Sequence, residues 1–307
     1  MAGPRPHRPV GIGEPAALAA VLGVAIITLG YRNQPGVQLS PDGRRYLAMA
    51  AGRPAPLPFA LRWLLPAVCS TSLTRWRWNT AIHLGVLPPL LVVWLSRWVD
   101  HPGLLVAGGL LVCGLPGIFR IHLRLPVLVD APAMAWALGA AIAAQHGRWP
   151  LVVALALLAG SIKEPAPIFA ACYAWSVLPL VGLAAPLVRR LVARFGDDVE
   201  GEDDRLAHPV RTGRLDHLGM WFDATAMATP WGACLLATLT TDRATIPMLV
   251  VTVLLAYGQL FIAGDTVRLY QWAAPPVILA TLTVMPPRWA VVALLGHLLN
   301  PWAGNGR

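Results

Sequence analysis

PAALAAVLGVAIITLGY, from Pro15 to Tyr31, decides what kind of chain this is. It holds no charged side chain, and a helix needs about 20 apolar residues to cross about 30 Å of hydrocarbon. The rest of the chain repeats the theme. Its 307 residues are 56% hydrophobic and only 13% charged, with a mean hydropathy of +0.59, whereas a soluble domain carries roughly 25% charged residues. The fold class expected is therefore all-α, a polytopic transmembrane bundle of about ten helices. The candidate spans are near 15–31, 80–96, 103–119, 127–145, 150–162, 165–188, 224–240, 246–263, 271–286 and 288–302. Several are short, which suggests helices that tilt little or break inside a protein-lined cavity.

The chain reads as a single membrane domain: a core over 14–188, a polar loop over 189–222 and C-terminal helices over 223–307. Arg5, His7 and Arg8 precede the first apolar run without a convincing cleavage site, so it reads as a retained helix of a multi-pass cell-membrane protein, with a cytoplasmic N-terminus. The net charge of +9 does not imply nucleic acid, because the arginines are dispersed at helix ends, where membrane lipids are the simpler partner. Cys69, Cys113, Cys172 and Cys234 show no metal-ligand spacing and read as small core residues. The acidic run GDDVEGEDD, Gly196 to Asp204, reads as a solvated cytoplasmic loop rather than a cation site. Arginine outnumbers lysine 23 to one, the lysine being Lys163, and prolines and glycines number 29 and 28. That usage fits a GC-rich genome such as an actinobacterium's.

The loop after the first helix carries SPDGRRYLAMAAG, Ser40 to Gly52. Its residues 44–51 and the run at 58–68 read as short amphipathic helices in the interface plane, the second interrupted by Arg62. Trp63, Trp76 and Trp78 suit headgroup level. Ser40 is a good N-cap, Pro41 suits the first helical position, and Asp42 complements the helix dipole. Capping alone accounts for Asp42, and so does a role as general base or divalent-ion contact beside Arg44 and Arg45.

Ionisable residues at membrane depth are costly and mark function by default. Three more groups stand out. Arg120, His122 and Arg124 precede Asp130, which opens a helix; the arginines either snorkel to headgroups or hold a lipid phosphate. Lys163 and Glu164 are adjacent between apolar stretches and either neutralise each other or meet a ligand. Asp265 and Arg268 are spaced to pair on one helical turn. Alternating the spans puts Asp42, Arg120, Arg124, Asp130, Lys163 and Glu164 on one extracytoplasmic face, and that coincidence is the signal.

This order of motifs is an acid with Tyr-Leu-x-x-Ala in the first outer loop, Asp130 and Pro132 opening a helix, Lys163-Glu164 between helices, then Asp265-Thr-x-Arg268. It resembles the GT-C superfamily of integral membrane glycosyltransferases and their actinobacterial relatives of unassigned role, over 14–188 and 264–286. The resemblance implies transfer of a hexosyl or pentosyl group from a polyprenyl-phosphate sugar to an extracytoplasmic acceptor. It implies Asp42 as base, or as contact for a cation such as Mg or Mn, and Lys163 and Arg124, with Arg44 or Arg268, as phosphate contacts. A paired acid in that loop, frequent in the family, is absent, since Gly43 and Arg44 follow Asp42. Two other classes remain: a transporter or flippase for a lipid or small anion, which expects polar residues at mid-helix, and a non-catalytic membrane protein. The last expects Asp42, Asp130, Lys163 and Glu164 splayed more than about 15 Å apart, beyond a shared substrate.

Overall fold

The structure is a computed structural model that describes residues 11–33, 38–192, 227–259 and 266–300. Every regular element among them is helical, and the α-helices number 14. They are α1 (Gly13–Arg32), α2 (Pro41–Ala50), α3 (Leu64–Cys69), α4 (Leu73–Leu95), α5 (Pro102–Leu111), α6 (Ile121–Arg124), α7 (Asp130–Gln145), α8 (Trp149–Ile162), α9 (Ala166–Ala174), α10 (Ala184–Val192), α11 (Ile246–Gly258), α12 (Thr266–Tyr270), α13 (Ala274–Val284) and α14 (Ala290–Leu298). The acidic run at 196–204 and Asp265 lie outside the described residues.

The expectation of about ten spans is corrected in number. Two helices, α1 and α4, are long and apolar enough to cross a membrane, or up to four segments if each bent pair counts as one. Proline is the reason. Pro102–Gly114 and Pro116–Arg124 meet at 62°, and Val267–Val284 and Pro287–Leu298 at 117°. Leu115 and Pro286 each precede a proline, whose ring disfavours helical backbone at the residue before it, and both are extended, with ψ of 120° and 139°, whereas α4 continues through Pro88 and Pro89. The candidate span at 224–240 becomes a 3₁₀ run, Thr229–Leu239, interrupted at Gly232.

The centre of the bundle is α7. Eleven of its sixteen residues are buried, mostly alanines that let α4, α8 and α9 approach closely. Helix α13 is buried on nearly every side as well. On the outside, α1 packs on α4 and α5, with Gly23 against the Pro88 ring.

The candidate span at 165–188 is also not one crossing. Helix α9 rises only about 14 Å and ends at Trp175, in left-handed backbone. Leu178–Leu183 then turns back along α8. Gly160 and Gly182 make this return possible, since a Cβ on Gly160 would stand 2.2 Å from the Gly182 carbonyl oxygen. At the end of the return, the Arg189 Nε donates to the Ala60 carbonyl at 3.3 Å. Helix α10 therefore comes back beside Ala60, in the segment that follows α2.

Candidate functional site

Ser40 starts α2 as expected: its hydroxyl accepts from the Gly43 amide at 2.9 Å, and Pro41 takes the first helical position. This fixes Asp42 in the first turn, where its charge complements the helix dipole. Gly117 lets another chain segment approach. A Cβ there would lie 2.5 Å from the Val267 carbonyl oxygen, and the Gly117 amide donates to the Gln271 side-chain oxygen at 2.7 Å. This close contact seats α12 so that Arg268 faces back toward α2.

Arg268 then joins two acids. Its Nη2 lies 2.8 Å from Asp42 Oδ2 and its Nη1 lies 3.4 Å from Asp130 Oδ2. Asp130 also pairs with the Lys163 ammonium and accepts from the Trp272 indole N–H at 3.2 Å. Lys163 sits 5.5 Å from the centre of the Trp272 ring, within cation–π range. The result is a continuous chain of opposite charges, Asp42, Arg268, Asp130 and Lys163, drawn from four distant segments. Asp130 is sealed, with 1% of its side chain exposed, whereas Asp42 keeps 23%. Asp42 Oδ1 faces Arg45 at 3.6 Å, a charge contact longer than a hydrogen bond.

A second cluster adjoins the first. The Arg62 Nε lies 3.0 Å from both oxygens of Glu164, and Nη1 donates to the Tyr46 hydroxyl at 3.1 Å. Phe59 stacks under two guanidiniums, 4.8 Å from Arg45 and 5.2 Å from Arg62. Burial works against the Arg62 charge, but Glu164 and Tyr46 more than offset it and hold the guanidinium above its usual range. Burial pushes the Tyr46 hydroxyl well above the usual phenol range, so it stays neutral.

Lys163 and Glu164 thus do not neutralise each other. Lys163 is in extended backbone, φ −155° and ψ 128°. Successive side chains there point to opposite sides, one toward Asp130 and the other toward Arg62. Arg268 likewise pairs with acids of two other helices, Asp42 of α2 and Asp130 of α7. Of the other expected contacts, Arg44 and Arg124 are exposed. Arg120 donates to the carbonyls of Leu298 and Asn300, where it caps the last helix. His122 is buried beside Asp130 and accepts from the Ala131 amide at 3.1 Å through Nε2, which assigns its proton to Nδ1.

Arg62, Tyr46 and Trp272 were not anticipated as site residues. Arg62 had a signal, since a lone arginine inside FALRWLLP needs a buried partner. Tyr46 and Trp272 had none beyond being aromatic. Among the described residues no group of three or more His, Cys, Asp or Glu gathers as a metal site. The donor set does not fit a divalent ion, because a guanidinium already stands between Asp42 and Asp130.

Counting Arg45, Arg62, Lys163 and Arg268 against Asp42, Asp130 and Glu164 gives four positive and three negative charges, a surplus of one. Such a site can bind an anion at its exposed edge, and two of its carboxylates are partly open, Asp42 at 23% and Glu164 at 20%. No protein-family model, curated protein or solved structure matches the chain.

Proposed function

We propose that this chain is a multi-pass cell-membrane protein and that the Asp42 network is the site of a glycosyltransferase. It would move a hexosyl or pentosyl group from a polyprenyl-phosphate donor to an extracytoplasmic acceptor. The observation that carries the reading is the convergence of Asp42, Arg268, Asp130 and Lys163 into one bonded chain with a single exposed acid. The membrane part rests on apolar surface facing outward: Val21 on α1 is 66% exposed and Ile82 on α4 58%. Such faces suit acyl chains and not water.

In this reaction the acceptor hydroxyl oxygen attacks the anomeric carbon and its proton passes to Asp42 Oδ1. The bond from that carbon to the phosphate oxygen breaks, and the polyprenyl phosphate leaves with the electron pair. Positive groups fixed beside the leaving phosphate stabilise the charge that develops there. Arg268 and Arg45 flank Asp42 and are placed for that role, with Lys163 behind them. Asp130 is enclosed and fully engaged, so its part is to hold Lys163 and Arg268 in position. No step requires a metal ion from these residues.

The enclosure of Asp130 also favours a second reading, a purely structural ion-pair clamp in a non-catalytic membrane protein. The two readings separate on Asp42→Asn. As a base, Asp42 is indispensable, and sugar transfer in membranes carrying the variant falls at least 100-fold, the usual scale for losing a general base, with membrane insertion unchanged. Transfer at the parent rate in that variant would overturn the catalytic role.

A further inference from the structure

The return of the chain from α9 to α10 leaves an unusual surface. Helix α10 is nine residues long, and within it Leu187, Val188, Leu191 and Val192 are exposed at 62%, 58%, 85% and 69%. At 100° per residue these four fall on one face, and Arg189 and Arg190 flank the opposite one. The helix does not pass through the bundle. It lies at the Asp42 end, anchored by the Arg189 contact to Ala60. Beside it opens a groove of about 430 Å³ between Trp63, Leu157, Val188 and Val192. Trp63 is 37% exposed on the wall of that groove, an aromatic at the polar–apolar boundary where such rings concentrate in membrane proteins.

We propose that α10 is an interfacial helix that docks on the anionic lipid leaflet on the same side as the candidate site. Leu187 and Leu191 enter the acyl region, while the exposed Arg190 meets lipid phosphate and Arg189, held by Nε on Ala60, adds its positive charge from the protein side. Three observations agree on this. The helix is too short to cross and returns to the site end, its face is apolar with no acid within it, and its flanking charges are both cationic. A helix with this pattern binds an anionic surface through buried apolar area plus electrostatic attraction. The proposal rests on the membrane reading above and adds to it a location and a lipid preference.

The test uses the full-length protein with single introduced cysteines. The four native cysteines are buried, and the parent serves as the unlabelled control. Arg53→Cys marks the site end and Arg148→Cys the opposite end, both at exposed positions. A membrane-impermeant maleimide applied to cells, and separately to inverted vesicles, should label Arg190→Cys in the same compartment as Arg53→Cys, and Arg148→Cys in the other. A nitroxide on Leu191→Cys, after reconstitution into phosphatidylcholine with phosphatidylglycerol, should be more accessible to oxygen than to a water-soluble nickel chelate. A nitroxide on Arg190→Cys should show the reverse, and omitting phosphatidylglycerol should shift Leu191 toward the chelate.

Labelling of Arg190→Cys together with Arg148→Cys would overturn the proposal. So would a Leu191 nitroxide shielded from both reagents, which means the chain's own residues cover that face, or one indifferent to phosphatidylglycerol. These outcomes in carbonate-resistant protein refute this proposal alone. Release of the protein from membranes by carbonate would refute the membrane reading and this one with it.

Discussion

Replacing Lys163 by Met removes the ammonium from Asp130 and keeps the side-chain length. Asp130 then remains ionised at 1% exposure with two weaker partners, Arg268 at 3.4 Å and the Trp272 N–H at 3.2 Å. Removing one member of a buried pair costs about 3–5 kcal/mol. The surviving partners return part of this, since a hydrogen bond to a charged group contributes about 1.5–3 kcal/mol. A loss of about 3 kcal/mol is therefore expected for Lys163→Met. Asp130→Leu should cost about 3–5 kcal/mol, because it strands Lys163 with only the Trp272 ring and leaves Arg268 to Asp42.

The double variant Lys163→Met/Asp130→Leu strands neither charge. Apolar replacement of a whole buried pair is often close to neutral, so its loss should be about 1–2 kcal/mol against a sum of about 6–8 for the singles. The check is the unfolding midpoint in mixed detergent–SDS micelles for the parent, both single variants and the double variant. Singles that add to within about 0.5 kcal/mol, as independent sites do, would show that Lys163 and Asp130 are not coupled as the structure has them.

Three further outcomes follow from the same geometry. Gly117→Ala drives a methyl into the Val267 carbonyl oxygen at 2.5 Å; backbone cannot rotate away, so about 1–3 kcal/mol of stability should be lost in the same micelle assay. Arg62→Met leaves Glu164 without its two 3.0 Å contacts and should destabilise by about 2 kcal/mol, less than Lys163→Met because Glu164 is 20% exposed and water can replace part of the pair. Ser40→Ala removes the cap on the Gly43 amide and should cost about 1 kcal/mol, with restoration by Ser40→Asp but not by Ser40→Val.

Helical character was legible because apolar composition over long runs leaves few alternatives. The number of long helices was not, since hydropathy averages over residues and proline acts at one. Leu115 and Pro286 look like ordinary positions in an apolar window, yet the proline after each ends the helix there. The return at Gly182 was hidden for a similar reason: a backbone-to-backbone contact needs two glycines far apart in sequence, and neither announces its partner. In the site, charge was the readable part. Asp42, Asp130, Lys163 and Arg268 stood out as ions in an apolar chain, because an ion at depth demands a partner. Which ion meets which was not readable. Asp42 and Arg268 are 226 residues apart, and the extended backbone at Lys163 is what separates it from its neighbour Glu164.

The network's uneven burial bears on how it could serve both folding and chemistry. At its inner end Asp130 and Lys163 expose 1% and 6% of their side chains, so an incoming phosphate cannot reach them without opening the bundle. At its outer end Arg268 and Asp42 expose 12% and 23%. A donor phosphate would therefore compete with Asp42 for Arg268, and the inner pair would keep its arrangement. In the proposed reaction, Arg268 turning to phosphate would take the 2.8 Å partner from Asp42 Oδ2 and make the carboxylate, which accepts the proton at Oδ1, more basic. Donor binding would then strengthen the base through one guanidinium, with Arg45 still 3.6 Å from Oδ1. Arg268 also touches Asp130 at 3.4 Å, which keeps it tethered during that exchange. A guanidinium suits this role better than an ammonium, because its planar fork can face two oxyanions at once. The chain uses its single lysine in the sealed inner pair, where one compact charge is sufficient.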